Sequence, residues 1–264
     1  MISENDFIAA PYLFSVEKGS TCWEAPSNIA LVKYWGKKEN QIPANPSVSF
    51  TLSQSKTITE VRFSKREKTD DFSFDFLFEG KPKDDFKPKI EQFFKRTEKY
   101  LPFLKSYHFI LNSRNTFPHS SGIASSASAM AALSLCLMSI ERLFTEISEE
   151  HFYKKASFLA RLGSGSACRS IKGNPVVWGF HEKVTASSDL FGTELSGIHP
   201  IFKNYQDTIL LVDVGTKQVS SSVGHNLMHN HPFATQRFKQ ANDNLAKMLS
   251  VLQSGDVNRF IEIT

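Results

Sequence analysis

Two apolar runs joined by a charged, aromatic turn constrain this chain more than any other stretch. Ala25-Pro26-Ser27-Asn28-Ile29-Ala30-Leu31-Val32 leads into Lys33-Tyr34-Trp35-Gly36-Lys37-Lys38, and Pro43-Ala44-Asn45-Pro46-Ser47-Val48-Ser49-Phe50-Thr51-Leu52-Ser53 leads out. The second run alternates apolar residues with Ser and Thr, the pattern of a strand with one polar face. The turn therefore gathers three lysines, a tyrosine and a tryptophan at a strand end. Cations beside flat aromatic groups suit a polyanionic small ligand. Taken alone, a solvated turn explains Lys-Lys beside Gly equally well.

Further strands are predicted at Thr57–Phe63, Phe72–Phe78, Tyr107–Leu111, Val176–Phe180 and Ile209–Val214, with the turn strands at Ile29–Tyr34 and Val48–Leu52. Helices are predicted over Phe86–Tyr100, Ser125–Phe144, Ser148–Leu162 and Pro232–Leu252. Ser148 is a candidate N-cap and Gly163 a candidate C-cap. Gly255-Asp256 starts one more helix, and the final residues to Thr264 read as a helix cut short. Met1–Thr21 has no clear period and suits a loose arm or an edge strand. The least structured connection, Thr185–Asn204, places a boundary between residues 25–190 and residues 200–264, after an arm of residues 1–24.

Two loops carry further chemistry. In Phe117-Pro118-His119-Ser120-Ser121-Gly122-Ile123-Ala124-Ser125-Ser126-Ala127-Ser128-Ala129, a glycine and small residues precede a helix. Backbone N–H groups there can close on phosphate oxygens, assisted by the helix dipole. Helix capping alone also explains serine at that place. The run lacks the Gly-Lys-Ser/Thr ending of a Walker loop. In Gly163-Ser164-Gly165-Ser166-Ala167-Cys168-Arg169-Ser170, Arg169 offers a two-pronged grip on a carboxylate that lysine cannot match.

Together the three stretches resemble the mevalonate diphosphate decarboxylases, within the superfamily of galactokinase, homoserine kinase, mevalonate kinase and phosphomevalonate kinase. The combination of Lys33-Tyr34-Trp35-Gly36-Lys37 with Gly163 to Arg169 carries the resemblance; the serine-rich loop alone indicates only the superfamily. The resemblance implies an α+β, two-domain small-molecule kinase-like fold. Its N-terminal domain has a ribosomal-protein-S5-like sheet with helices, and residues 200–264 form part of a C-terminal α/β sandwich. It implies ATP and Mg2+ as cofactors and ATP-dependent decarboxylation of mevalonate 5-diphosphate to isopentenyl diphosphate, ADP, phosphate and CO2, within the mevalonate pathway.

The same resemblance assigns residues. Gly122, Ile123, Ala124, Ser125 and Ser126 hold the ATP phosphates, with Ser125 also a catalytic group and a Mg2+ contact. Tyr34, Trp35, Gly36 and Lys37 bind the substrate diphosphate, and Lys33 sits close to the reacting hydroxyl. Ser164, Gly165, Ser166, Ala167 and Cys168 contact substrate, Arg169 holds its C1 carboxylate, and Ser222 touches it from a second loop. Lys89 or Lys87 stands in for a family arginine that reaches the diphosphate. Kinase relatives usually carry Gly where Ala124 stands, and a catalytic aspartate near Ala167-Cys168-Arg169. The pattern usually continues with two glycines, where this chain has Gly173-Asn174-Pro175. The family's Asp-Ala-Gly-like turn, bearing the base, is not found, and Asp213 is better read as a turn former. A kinase of the same fold, a monophosphate-specific decarboxylase and a non-catalytic relative lacking the base stay as competing readings.

Composition excludes other classes. A net charge of +4 over 264 residues, with no basic tract interleaved with aromatics, does not favour nucleic acid. Cys22, Cys136 and Cys168 have no metal-ligand or redox spacing and suit free thiols in a reducing cytosol. No signal peptide is evident, and the apolar run Ala127–Ile140 is shorter than the roughly 20 residues that span a bilayer. A cytoplasmic protein acting on a small molecule, with no membrane partner, is expected; the resemblance adds a homodimer. His225, His229 and His231 lack a completing acid or cysteine, so a polar loop is preferred to zinc.

Overall fold

The computed structural model describes residues 2–118, 123–210, 224–225 and 227–264. Its centre is one mixed sheet. β1 (Lys18–Val32) and β2 (Ser47–Lys65) form a long antiparallel pair. The two predicted runs Val48–Leu52 and Thr57–Phe63 are one strand, interrupted where Ser27 pairs with Leu52 but Pro26 with Lys56. Proline has no N–H to give the ladder, so Ser53–Ser55 bulge out beside it. The first half of β2 also pairs with β6 (Val176–Trp178), and the second half with β5 (Tyr107–Asn115). β3 (Ser73–Phe78) runs parallel to β5, β4 (Lys81–Pro82) closes one edge, and β7 (Gly192–Glu194) closes the other.

A parallel pair needs a crossover, and α1 (Lys87–Thr97) supplies it between β3 and β5. The phenylalanines of β3 face this connection. Phe72 and Phe74 meet Phe94 edge-on, at 5.5 and 5.3 Å between centroids, and Phe76 stacks on Phe86 at 5.4 Å. α2 (Ser125–Glu141) lies buried between the β1–β2 pair and α3 (Glu149–Gly163). Ser148 caps α3 by accepting from His151 N at 3.2 Å. Gly163 does not end α3 in a left-handed turn. A Cβ there would sit 2.6 Å from Met130 Sδ and 3.0 Å from Phe93, so the glycine serves close approach.

α4 (Ala234–Ser254) and α5 (Val257–Ile263) form a second core with Val32, Val48 and Val177. Gly255 ends α4 at φ +80, and Asp256 caps α5 through Arg259 N at 2.9 Å. Among the described residues, no helix is long and apolar enough to cross a membrane.

Several expected boundaries move. β1 begins at Lys18, inside the expected arm of residues 1–24, and ends at Val32, leaving Tyr34 in the turn. The earlier arm is not loose: Phe7 is buried and stacks on Phe158 at 4.3 Å. The sheet reaches Glu194, past residue 190, because Trp178 pairs with Gly192. Of the strand expected over 209–214, Ile209 and Leu210 are not in a strand, and the rest lies outside the described residues.

Gly179 fixes how β6 leaves the sheet. Its φ is +103, and a Cβ would stand 2.6 Å from Pro46 Cα. Gly179→Ala therefore combines a disfavoured backbone with a backbone clash. A loss of about 2–3 kcal/mol in urea unfolding is expected.

Candidate active site

The turn after β1 is held by its own side chains. Asn45 Oδ1 accepts from Trp35 N at 2.9 Å, and Asn45 Nδ2 donates to the Lys33 carbonyl at 3.1 Å. Gly36 is packed closely; a Cβ there would meet Phe238 at 2.9 Å and Ala44 at 3.2 Å. This turn, α1, the start of α2 and the segment after α3 enclose a cleft of about 690 Å3. Lys33, Lys37, Lys89, Arg96 and Arg169 line it, and no described lining residue is an Asp or Glu. Burial, then Arg96 and Lys89 nearby, lowers the pKa of Lys37, and burial lowers that of Lys89. Cations that repel one another across a cleft are stabilised by a polyanion.

Arg169 stands at the back, 2% exposed, on a 3-10 turn over Gly165–Ser170. It donates to Ser47 Oγ and, at 3.3 Å, to Asn28 Oδ1. Asn28 is itself fixed by Ser170 Oγ at 2.7 Å and the Ser166 carbonyl at 3.1 Å. The guanidinium lies 5.7 Å from the Tyr34 ring and 5.8 Å from Trp178. Among the described residues its Nε has no hydrogen-bond partner, and neither group it donates to is a carboxylate. Burial disfavours its charge. A buried guanidinium normally has a carboxylate partner; among the described residues its partners here are the uncharged Ser47 and Asn28.

The serine loop meets this cleft at the first turn of α2. Ala124 adopts φ +49, the left-handed conformation in which glycine is unstrained. Ser126 borders both the cleft and a second cavity of about 240 Å3, which Ser125 also lines. The second cavity is mostly apolar, with Phe76, Phe78, Leu111 and Met130, and offers Thr57, Thr59, Ser113 and Asn115 as polar groups. Ile123 is buried behind the loop, its carbonyl accepting from Ser27 Oγ. Gly122 lies outside the described residues, as does Ser222.

A model of the diphosphomevalonate decarboxylase-like N-terminal domain matches residues 25–189. The chain belongs to the diphosphomevalonate decarboxylase family. It is 31% identical over 257 residues to a diphosphomevalonate decarboxylase of Aspergillus fumigatus, covering 91% of this chain and 61% of that relative. The chain thus spans about three fifths of that curated relative's length. The mevalonate diphosphate decarboxylase of Staphylococcus aureus superposes with a TM-score of 0.76 at 29% identity, covering 93% of this chain and 71% of that one. A protein called MDDEF, solved in complex with MVAPP, AMPPCP and magnesium, gives 0.72 at 27% identity, covering 94% and 71%. The mixed sheet with its helices is the fold of these decarboxylases.

Within this decarboxylase family fold, the residues singled out from the sequence divide by position. Lys33, Tyr34, Lys37, Ala124, Ser126, Ser164, Ser166 and Arg169 line the cleft. Trp35 packs against the second core, between Lys33 Nζ at 4.9 Å and Arg237 at 4.7 Å. Gly165, Ala167 and Cys168 lie in the wall behind. Gly165 leaves room for Trp178, 2.8 Å from where a Cβ would be, and the Cys168 thiol faces the Gly165 carbonyl, its pKa pushed up to about 12 by burial. Of the two alternative lysines, Lys89 lines the cleft, whereas Lys87 pairs with Asp84 at 2.8 Å on the surface. Sequence reasoning missed Arg96, Gln92 and His225 as lining residues. The i, i+3, i+7 spacing of Lys89, Gln92 and Arg96 on α1 was the available signal.

Proposed function

We propose that the cationic cleft binds mevalonate 5-diphosphate, that the adjoining cavity takes the base of ATP, and that the protein converts the pair to isopentenyl diphosphate, ADP, phosphate and CO2. Arg169 carries this reading: a buried guanidinium, braced by Asn28 and Ser47 and with no carboxylate partner among the described residues, suits a ligand carboxylate. Lys37, Lys89 and Arg96 suit the diphosphate at the other end of the cleft.

ATP fits the described residues. The N-terminal end of α2, with small side chains and no side-chain cap from Ala124, stands at the border of a cavity with an apolar body and a few hydrogen-bonding groups. Among the described residues no cluster of three His, Cys, Asp or Glu could hold a metal. Mg2+ therefore fits as the partner of the nucleotide phosphates, with the Ser125 hydroxyl as its protein contact. The nucleotide supplies the phosphoryl group that turns the substrate's 3-hydroxyl into a leaving group. Arg169 orients the carboxylate that departs as CO2, and Lys33 offsets negative charge near the reacting centre. The free thiols fit a reducing compartment, and we extend the proposal to a cytosolic location.

Calorimetry with mevalonate 5-diphosphate and mevalonate 5-phosphate tests the assignment of the two ends. The diphosphate is expected to bind more tightly, and Lys89→Met to weaken it about tenfold while narrowing the gap between the two ligands. Equal affinity for both ligands in the wild type would contradict the placement of the diphosphate.

A further inference from the structure

His225 stands in the cleft without a role in the contacts above. Its ring stacks on Tyr34, with centroids 4.3 Å apart and planes 18° apart. Its Nδ1 is 2.9 Å from the Trp35 carbonyl oxygen. A carbonyl only accepts, so Nδ1 carries a hydrogen in both protonation states, and the titrating proton belongs to Nε2. The stack fixes the ring plane and the carbonyl fixes its rotation. The ring can therefore gain a proton without changing rotamer.

Among the described residues, the charged groups lining the cleft around it are all positive. Lys33 and Lys37 come from the turn after β1, Arg169 from the 3-10 turn, and Lys89 and Arg96 from α1 across the cleft. Tyr34, the stacked neighbour, is neutral, its pKa pushed up to about 12 by burial. His229 and His231 are exposed and outside the cleft lining. In the free protein, burial first and then Lys37, Lys33 and Arg169 lower the His225 pKa, against the Trp35 carbonyl, which raises it. A bound polyanion reverses the sign of the field at the ring.

We propose that His225 is a proton-coupled clamp, neutral in the free cleft and an imidazolium when a phosphorylated carboxylate ligand is bound. The proton comes from solvent and returns there on release. This rests on the polyanion reading of the cleft. Since the bound-state pKa lies above the free-state one, ligand affinity is highest at low pH and falls as pH rises through the bound-state value.

The test is calorimetry of mevalonate 5-diphosphate from pH 6 to 8, in two buffers of different ionisation enthalpy, on the wild type and two variants. His225→Phe keeps a ring on Tyr34, and His225→Gln keeps a donor for the Trp35 carbonyl. The ligand's own titration is common to all three proteins and cancels in the comparison. The wild type is expected to lose about tenfold more affinity than either variant across that range, and to take up more protons on binding. If one variant fails to fold, as checked by its melting curve, the other serves. An NMR titration of the wild-type imidazole signals, with and without ligand, needs neither. Equal pH slopes and proton counts, or a His225 signal that ligand does not shift, would overturn the clamp alone. No binding by the wild type would overturn the polyanion reading and the clamp with it.

Discussion

Arg169→Gln is expected to lose between about 30-fold and several thousand-fold in affinity for mevalonate 5-diphosphate, while melting no lower than the wild type. The two halves of this result have one cause. Truncating one partner of a buried, charge-assisted pair costs about 2–5 kcal/mol in the complex. In the free protein that pair does not yet exist. Among the described residues, Arg169 sits 2% exposed with its Nε unpartnered, held by a serine hydroxyl and an amide rather than a carboxylate. Burial already disfavours the charge, so removing it relieves the empty site. Calorimetry and a melting curve on the same preparation measure both halves. A variant that binds as well as the wild type would contradict the carboxylate assignment. One that melts far lower would show that Arg169 serves the fold.

Lys155→Ala is expected to destabilise the protein by about 3–5 kcal/mol, the largest effect away from the cleft. Lys155 Nζ lies 2.7 Å from Glu141 Oε1 and 2.9 Å from the Tyr100 carbonyl, and both charged side chains are 1% exposed. Tyr12 OH donates to the same carboxylate oxygen at 3.3 Å, while Glu141 Oε2 has no partner among the described residues. Burial raises the Glu141 pKa and lowers that of Lys155, while each partner pulls the other back toward its charged form. Removing one leaves the other uncompensated between α2 and α3. The pair itself contributes little beyond that, so Lys155→Met combined with Glu141→Leu should recover most of the loss. Urea unfolding of the single and double variants measures it. A single variant within 1 kcal/mol of the wild type, by that measure, would contradict the account.

Much of the candidate site was legible because its chemistry is local in sequence. Lys33, Tyr34 and Lys37 fall within five consecutive residues, and Ser164, Ser166 and Arg169 within six. Small residues before a long apolar helix marked the start of α2, where Ala124 and Ser126 reach the cleft. The sheet was legible as strands but not as a register. Nothing in Leu52 to Thr57 shows that one strand continues through a bulge; the pairing of Pro26 with Lys56 decides that, and it spans 30 residues. Lys18–Glu24 has too few apolar residues to read as a strand, and β2 recruits it through backbone hydrogen bonds. Arg96 and His225 were missed for a related reason. Each looks like a solvated charge in sequence and becomes a site residue only when α1 and the segment before α4 meet the turn at Gly36. Trp35 shows the reverse. It looked like a ligand contact, but it faces the second core and stacks beneath Arg237.

The central claim is that this cleft handles a phosphorylated hydroxy acid for decarboxylation. The most direct measurement follows ADP and CO2 together, with ATP, Mg2+ and mevalonate 5-diphosphate. Equal release of the two, abolished in Arg169→Gln, is the predicted result. Release of ADP without CO2 would contradict the account, making the protein a kinase of this fold and leaving the buried arginine without the role given to it.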